Sequence, residues 1–60
     1  MKYNIILLLR SGEYISLFDI VSISWTRARM IFVTDDDKSH VYYRGDIIKL
    51  DMEVSENEKG

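Results

Sequence analysis

Tyr14-Ile15-Ser16-Leu17-Phe18-Asp19-Ile20-Val21-Ser22-Ile23-Ser24-Trp25 is the stretch that decides the fold. It alternates apolar and polar residues with a period of two and is rich in β-branched and aromatic side chains. That pattern predicts a β-strand with one face turned to a core. Ile15 and Leu17 share one face. Phe18-Asp19-Ile20 then breaks the alternation, which resumes with Val21, Ile23 and Trp25 on one side and Ser22, Ser24 and Thr26 on the other. Such a break marks a bulge or sharp bend in one long strand, or a short gap between two.

Reading outward, the same period recurs on both sides. Tyr3–Arg10 is a first strand, with Tyr3, Ile5, Leu7 and Leu9 on one face and Ile6 and Leu8 on the other. A strand that is apolar on both faces is normally covered on both, so in a chain this short one face is expected to meet another subunit. Ser11-Gly12 is the hairpin turn that follows, glycine supplying the positive φ. Thr26–Arg29 is a second turn and Met30–Thr34 a third strand. Asp35-Asp36-Asp37-Lys38 is a third turn, its aspartates suited to bonding local backbone N–H groups. Ser39–Arg44 is a fourth strand, broken by Gly45-Asp46. Ile48, Leu50, Met52 and Val54 alternate with Lys49, Asp51 and Glu53 as a fifth. No segment has helical periodicity. The expected fold is all-β, a five-stranded antiparallel small barrel or strongly bent meander of SH3-like type. Residues 1–54 form one small β domain, and 55–60, which hold no apolar residue, a disordered polar tail.

Length sharpens the picture. A chain of 60 residues has room for one domain. Folding buries about 60% of its surface, so the apolar gain and the entropic cost are both about 90 kcal/mol. Chains this small usually gain stability from disulfides, metals or partners. With no Cys and one His, disulfides, thiolate metal sites and a multi-histidine zinc site within one chain are excluded. Partners remain, first of all a second copy of the chain.

Charge and motifs narrow the function. The net charge is −2, but residues 1–34 sum to +2 and residues 35–60 to −4, a polarity suited to association. The longest apolar run, Ile5–Leu9, has five residues, against the ~20 of a membrane span. No secretory signal is read at Met1–Leu9, so a cytoplasmic location without membrane association is expected. His40 lies in a strand with no partner for acid–base chemistry, and no nucleophile–base pair or phosphate loop is present. Asp35-Asp36-Asp37 reads as a solvated turn, because a hard-cation site needs spaced oxygen ligands around one loop. Arg44-Gly45-Asp46 spells an adhesion tripeptide but is read as a turn. The chain is therefore expected to be no enzyme and to carry no cofactor or metal.

Phe18, Trp25, Tyr42 and Tyr43 are the candidate protein-binding anchors, with Arg27 and Arg29 as a charged rim. A second reading assigns Arg10, Trp25 and Arg44 to nucleic acid, by stacking and phosphate contact. The acidic balance ranks it below protein binding.

Tyr42-Tyr43-Arg44-Gly45-Asp46-Ile47-Ile48 is an apolar pair, then Arg-Gly, then an apolar residue at the start of the last strand. It resembles the second motif of the Sm-like RNA-binding proteins, and Ile6–Glu13, with Gly12 at the turn, resembles their first hairpin. The resemblance implies an SH3-like barrel, a ring assembly and Arg44 near RNA. The chain departs from that family in three ways. Its second strand lacks glycine, its next turn reads Thr26-Arg27-Ala28-Arg29, and no helix precedes the first strand. More loosely, the chain is similar to very short phage and prophage β-proteins, some of which block host defence proteins by binding them.

Overall fold

A computed structural model describes residues 1–55 of the chain. Five strands are formed: β1 (Tyr3–Leu9), β2 (Tyr14–Trp25), β3 (Arg29–Thr34), β4 (Ser39–Tyr43) and β5 (Ile47–Val54). A single 3₁₀ turn, η1 (Arg44–Asp46), separates β4 from β5. The strands make one antiparallel sheet in the order β4-β3-β2-β1-β5. The expected closure into a barrel is not made by strand pairing. β4 and β5 are opposite edges, and no ladder joins them. β4 stops at Tyr43, and the chain crosses to the other edge through η1, whose turn is held by Ile47 N–H donating to Arg44 O.

The core lies on one face of this sheet. Ile5, Leu7, Leu17, Ile20 and Phe32 are buried, and Tyr3, Leu9, Ile15, Ile23, Met30, Tyr42, Ile47 and Leu50 pack around them. The hairpin β1–β2 therefore follows the alternation read from Tyr3, Ile5, Leu7 and Leu9. The opposite face of β1 is open, with Ile6 45% exposed and Leu8 half-buried.

Strand β2 is continuous but contains two irregularities. Tyr3 pairs with Ile20 and Ile5 with Leu17, so β2 carries an extra residue there. Asp19 takes up the strain in the left-handed region, at φ 58°. A short polar side chain tolerates that region better than an apolar one. Asp19 N–H donates to Asn4 Oδ1 (3.3 Å), and Asp19 O accepts from Asp35 N–H (3.0 Å). Immediately afterwards Ile20 pairs with Thr34 and Ser22 with Val33, which adds a second extra residue at Val21. The core-facing side chains thus run Leu17, Ile20 and the partly buried Ile23. The expected line of Val21, Ile23 and Trp25 is corrected: Ile20 is the core residue, and Val21 and Phe18 are exposed. β5 behaves similarly. Leu8 pairs with Lys49 and Leu9 with Ile47, so Ile48 is bulged out and exposed, while Ile47 packs on the core.

The turns are built from side-chain hydroxyls more than from aspartates. Gly12, at φ 94°, closes the first hairpin, donating its N–H to Leu9 O (2.8 Å). Thr26 Oγ1 accepts from the N–H groups of Ala28 and Arg29 (3.3 and 3.1 Å). Thr34 Oγ1 accepts from Lys38 N–H (3.1 Å). Each threonine is the last residue before its turn, and each replaces a missing ladder bond. Ser55 is buried and donates its N–H to Lys2 O (2.9 Å). The rest of the expected polar tail, 56–60, lies outside the described residues.

Phe32 and Phe18 separate core from surface. Phe32→Ala should cost about 3–5 kcal/mol, comparable with the whole stability of a domain this small. Phe18→Ala should stay within about 0.5 kcal/mol. Urea unfolding of both variants in dilute solution measures the contrast.

A candidate docking surface

The candidate residues fall into three places. Trp25 pairs with Met30, and Met30 with Tyr42, so the two aromatics lie in one row across β2, β3 and β4 on the core side. Tyr42 is half-buried and packs against Phe32 (ring centroids 6.4 Å apart), whereas Trp25 is 64% exposed at the end of the sheet. Tyr43 pairs with Arg29, one step out of phase with Tyr42, and both are exposed. Phe18 lies far along β2, on the outer face, 63% exposed. The structure does not gather the six expected anchors into one patch.

It does gather the arginines. Arg10 Nε and Nη2 donate to Gly45 O (3.2 and 3.0 Å), and Arg10 N–H donates to Asp46 O (2.7 Å). Arg44 Nη1 donates to Thr26 O (3.0 Å), and Arg44 N–H donates to Ala28 O (2.8 Å). The turn η1 is therefore stapled on one side to the end of β1 and on the other to the β2–β3 turn. Arg27 and Arg29 belong to that same turn. All four arginines thus lie around η1, where they outnumber the carboxylates of Glu13 and Asp46 and make that end a basic pole. Arg10 and Arg44 hold the backbone there. Among the described residues Arg27 makes no hydrogen bond or ion pair, and it stands at the tip.

The opposite end is acidic. β3 runs from Arg29 to Thr34, a span of about 17 Å, and ends in the Asp35–Lys38 turn. Lys2 Nζ pairs with Asp35 (2.9 Å) and Lys38 Nζ with Asp36 (3.8 Å). The Thr34 hydroxyl donates to the Asp36 carboxylate. That bond, opposed by partial desolvation and assisted by the charge of Lys38, holds the Asp36 carboxyl below its ordinary value of 3.8. The three consecutive aspartates do not converge. Among the described residues no group of three or more His, Cys, Asp or Glu side chains is placed to hold a metal ion. His40 sits half-buried opposite Phe32. No described helix is long and apolar enough to cross a membrane.

The outer face of β1 holds what the sequence reading left incomplete. Leu8 pairs with Tyr14 and Ile6 with Ser16, and alternation along β2 puts Phe18 on the same face, so exposed Tyr14, Ile6 and Phe18 and half-buried Leu8 share one apolar row. Tyr14 was the missed member. Counting the register back from the Gly12 turn would have found it, because positions 14, 16 and 18 share a face with 8, 6 and 4. A groove of about 190 Å³ lies at the Ile6 and Phe18 end of this row. Phe18 and Ser16 of β2 form one wall, Ile6 and Asn4 of β1 the floor, and Asp51 and Glu53 of β5 the other wall. It is smaller than the ~300–1,000 Å³ of small-molecule sites and has the scale of a single side chain.

No protein-family model, curated protein or solved structure matches this chain.

Two measurements check the two poles. Arg10→Ala or Arg44→Ala should each cost about 0.5–1.5 kcal/mol and speed hydrogen exchange at the Arg10 and Ile47 amides (for Arg10→Ala, the amide of the new residue). Arg27→Ala should change neither. Thr34→Val should raise the Asp36 carboxyl toward its ordinary value, read by NMR titration of the carboxyl carbon. Because the folded value is depressed, the stabilisation exists above the ordinary value and is lost as acid protonates Asp36.

Proposed function

We propose that this chain is a small non-enzymatic protein-binding module that works as a homo-oligomer. One observation carries the reading: Tyr14, Ile6 and Phe18 are exposed, with half-buried Leu8 beside them, on the outer face of a single sheet. Contiguous exposed apolar surface of this kind marks an interaction site. Among the described residues five hydrophobic side chains are buried, so covering the row adds a large fraction to the apolar area removed from water. Trp25, Tyr42 and Tyr43 with Arg27 and Arg29 supply a second aromatic and cationic surface for another protein partner.

The finer fold reading is an SH3-like small barrel. The η1 crossover and its two arginine staples support it, because they draw the ends of the sheet together without a closing ladder. A cytoplasmic phage-type accessory protein, or an inhibitor of a host factor, is the biological setting that a compact binding module of this texture suits.

A second reading, binding of RNA in an Sm-like ring, is favoured by one specific observation. Arg10 and Arg44 meet at η1, next to the turn that follows Trp25. Both guanidinium groups already bond backbone carbonyls, and the net charge is negative, so protein binding ranks first.

Size-exclusion chromatography with light scattering, read at 260 and 280 nm, tests both. The expected result is a mass above one chain with protein-like absorbance. A stable monomer throughout the micromolar range overturns the oligomer. A 260-rich peak that dissolves as salt rises makes nucleic acid the ligand instead.

A further inference from the structure

We propose that the Arg27 tip of one copy seats in the Phe18–Glu53 groove of a second copy. The inference rests on the self-association just proposed and names its contact. Three features of the groove select the occupant. Its size suits one side chain. One wall includes the exposed aromatic side chain of Phe18, and the other carries Asp51 and Glu53. That combination suits a long cationic side chain, whose stem lies on apolar surface and whose head meets the acids. Asp51 is already 3.7 Å from Lys49 Nζ. Glu53 makes no ion pair among the described residues, and it is the carboxylate left open to a partner.

The molecule itself offers such a side chain. Arg10 and Arg44 are engaged on Gly45 O and Thr26 O, and Arg29 lies in the sheet beside Tyr43. Arg27 alone of the four projects from a turn tip with no bond among the described residues. Exposed Trp25 precedes it by two positions and widens the apolar contact around the groove. Tip and groove are different surfaces of one chain, so the contact forms either once per copy, joining copies head to tail, or twice across a two-fold axis. The complementary charges also account for why a chain of net charge −2 would still attract itself: the basic pole of one copy faces the acidic groove of the next.

A charge exchange tests this. Arg27→Glu and Glu53→Arg are both surface changes, and circular dichroism confirms that each variant stays folded. Each alone should weaken self-association at least tenfold in light scattering. The double variant, or an equimolar mixture of the two single variants, should regain wild-type association, and raised salt should weaken all associating forms. Phe18→Leu should weaken association several-fold by losing the aromatic ring. If folded single variants associate as the wild type does, the contact is overturned while self-association stands through another surface. If singles fail and the exchange does not restore, the pairing is overturned. If the wild type is monomeric, the proposed function falls with it.

Discussion

The left-handed backbone at Asp19 sets which side chains of this protein face inward. One extra residue in β2 moves the core-facing set from Leu17 to Ile20, and a second at Val21 moves it again to Ile23. In a strand of strict period two, Leu17, Asp19 and Val21 would share the core face, and a carboxylate would be buried there. The bulge removes that cost. It also supplies both partners of the Asp19 peptide, through Asn4 Oδ1 and the amide of Asp35. The amide of Asp35 ties the β3–β4 turn to β2, so one bulge organises the acidic end of the molecule as well as the core.

The bend has a consequence at the other end. Bulges increase local twist and curvature, and β2 extends from Tyr14, beside β1, to Trp25, well beyond it. Leu9 pairs with Ile47, yet Arg44, three residues earlier, bonds the β2–β3 turn. The two ends of β2 are therefore brought within reach of a single three-residue turn. Arg10 and Arg44 complete that approach with charge-assisted bonds to carbonyls, which neutral side chains of the same reach would make more weakly. A sheet with two free edges thereby gains, through η1, a tie between the end of β1 and the β2–β3 turn without a ladder.

Much of this was legible in the residues. All five strands follow from period-two runs, and the Gly12 turn and the disturbance at Phe18-Asp19-Ile20 lie where the pattern puts them. What was not legible is the phase after a bulge. Apolar residues occupy both 20 and 21, and both 47 and 48, so hydrophobicity cannot say which of each pair turns inward. Only the partner strand decides. The role of Arg10 and Arg44 was hidden for a similar reason. Their acceptors are backbone carbonyls, which leave no residue signature, and the positions are 34 apart in the chain. The apolar row of the outer face was half legible: Ile6 and Leu8 stood out as a second face of the first strand, and Tyr14 needed the hairpin register.

The distribution of charge links fold to assembly. A sheet that packs only one face leaves the other to water or to a partner, and burying it is favourable only where charges do not repel. Here the strands themselves sort the charges. The turn at one end of β3 carries arginines and the turn at the other carries aspartates, while β5 places Asp51 and Glu53 beside Ile6. A pairing that brought the β5 edges of two outer faces together would set Asp51 and Glu53 of both copies near one another, an unfavourable juxtaposition of like charge. The contact of tip with groove avoids it by bringing the basic tip to the acidic rim. Two apolar faces on β1 and charge separated along β3 are thus the sequence features on which the proposed association rests.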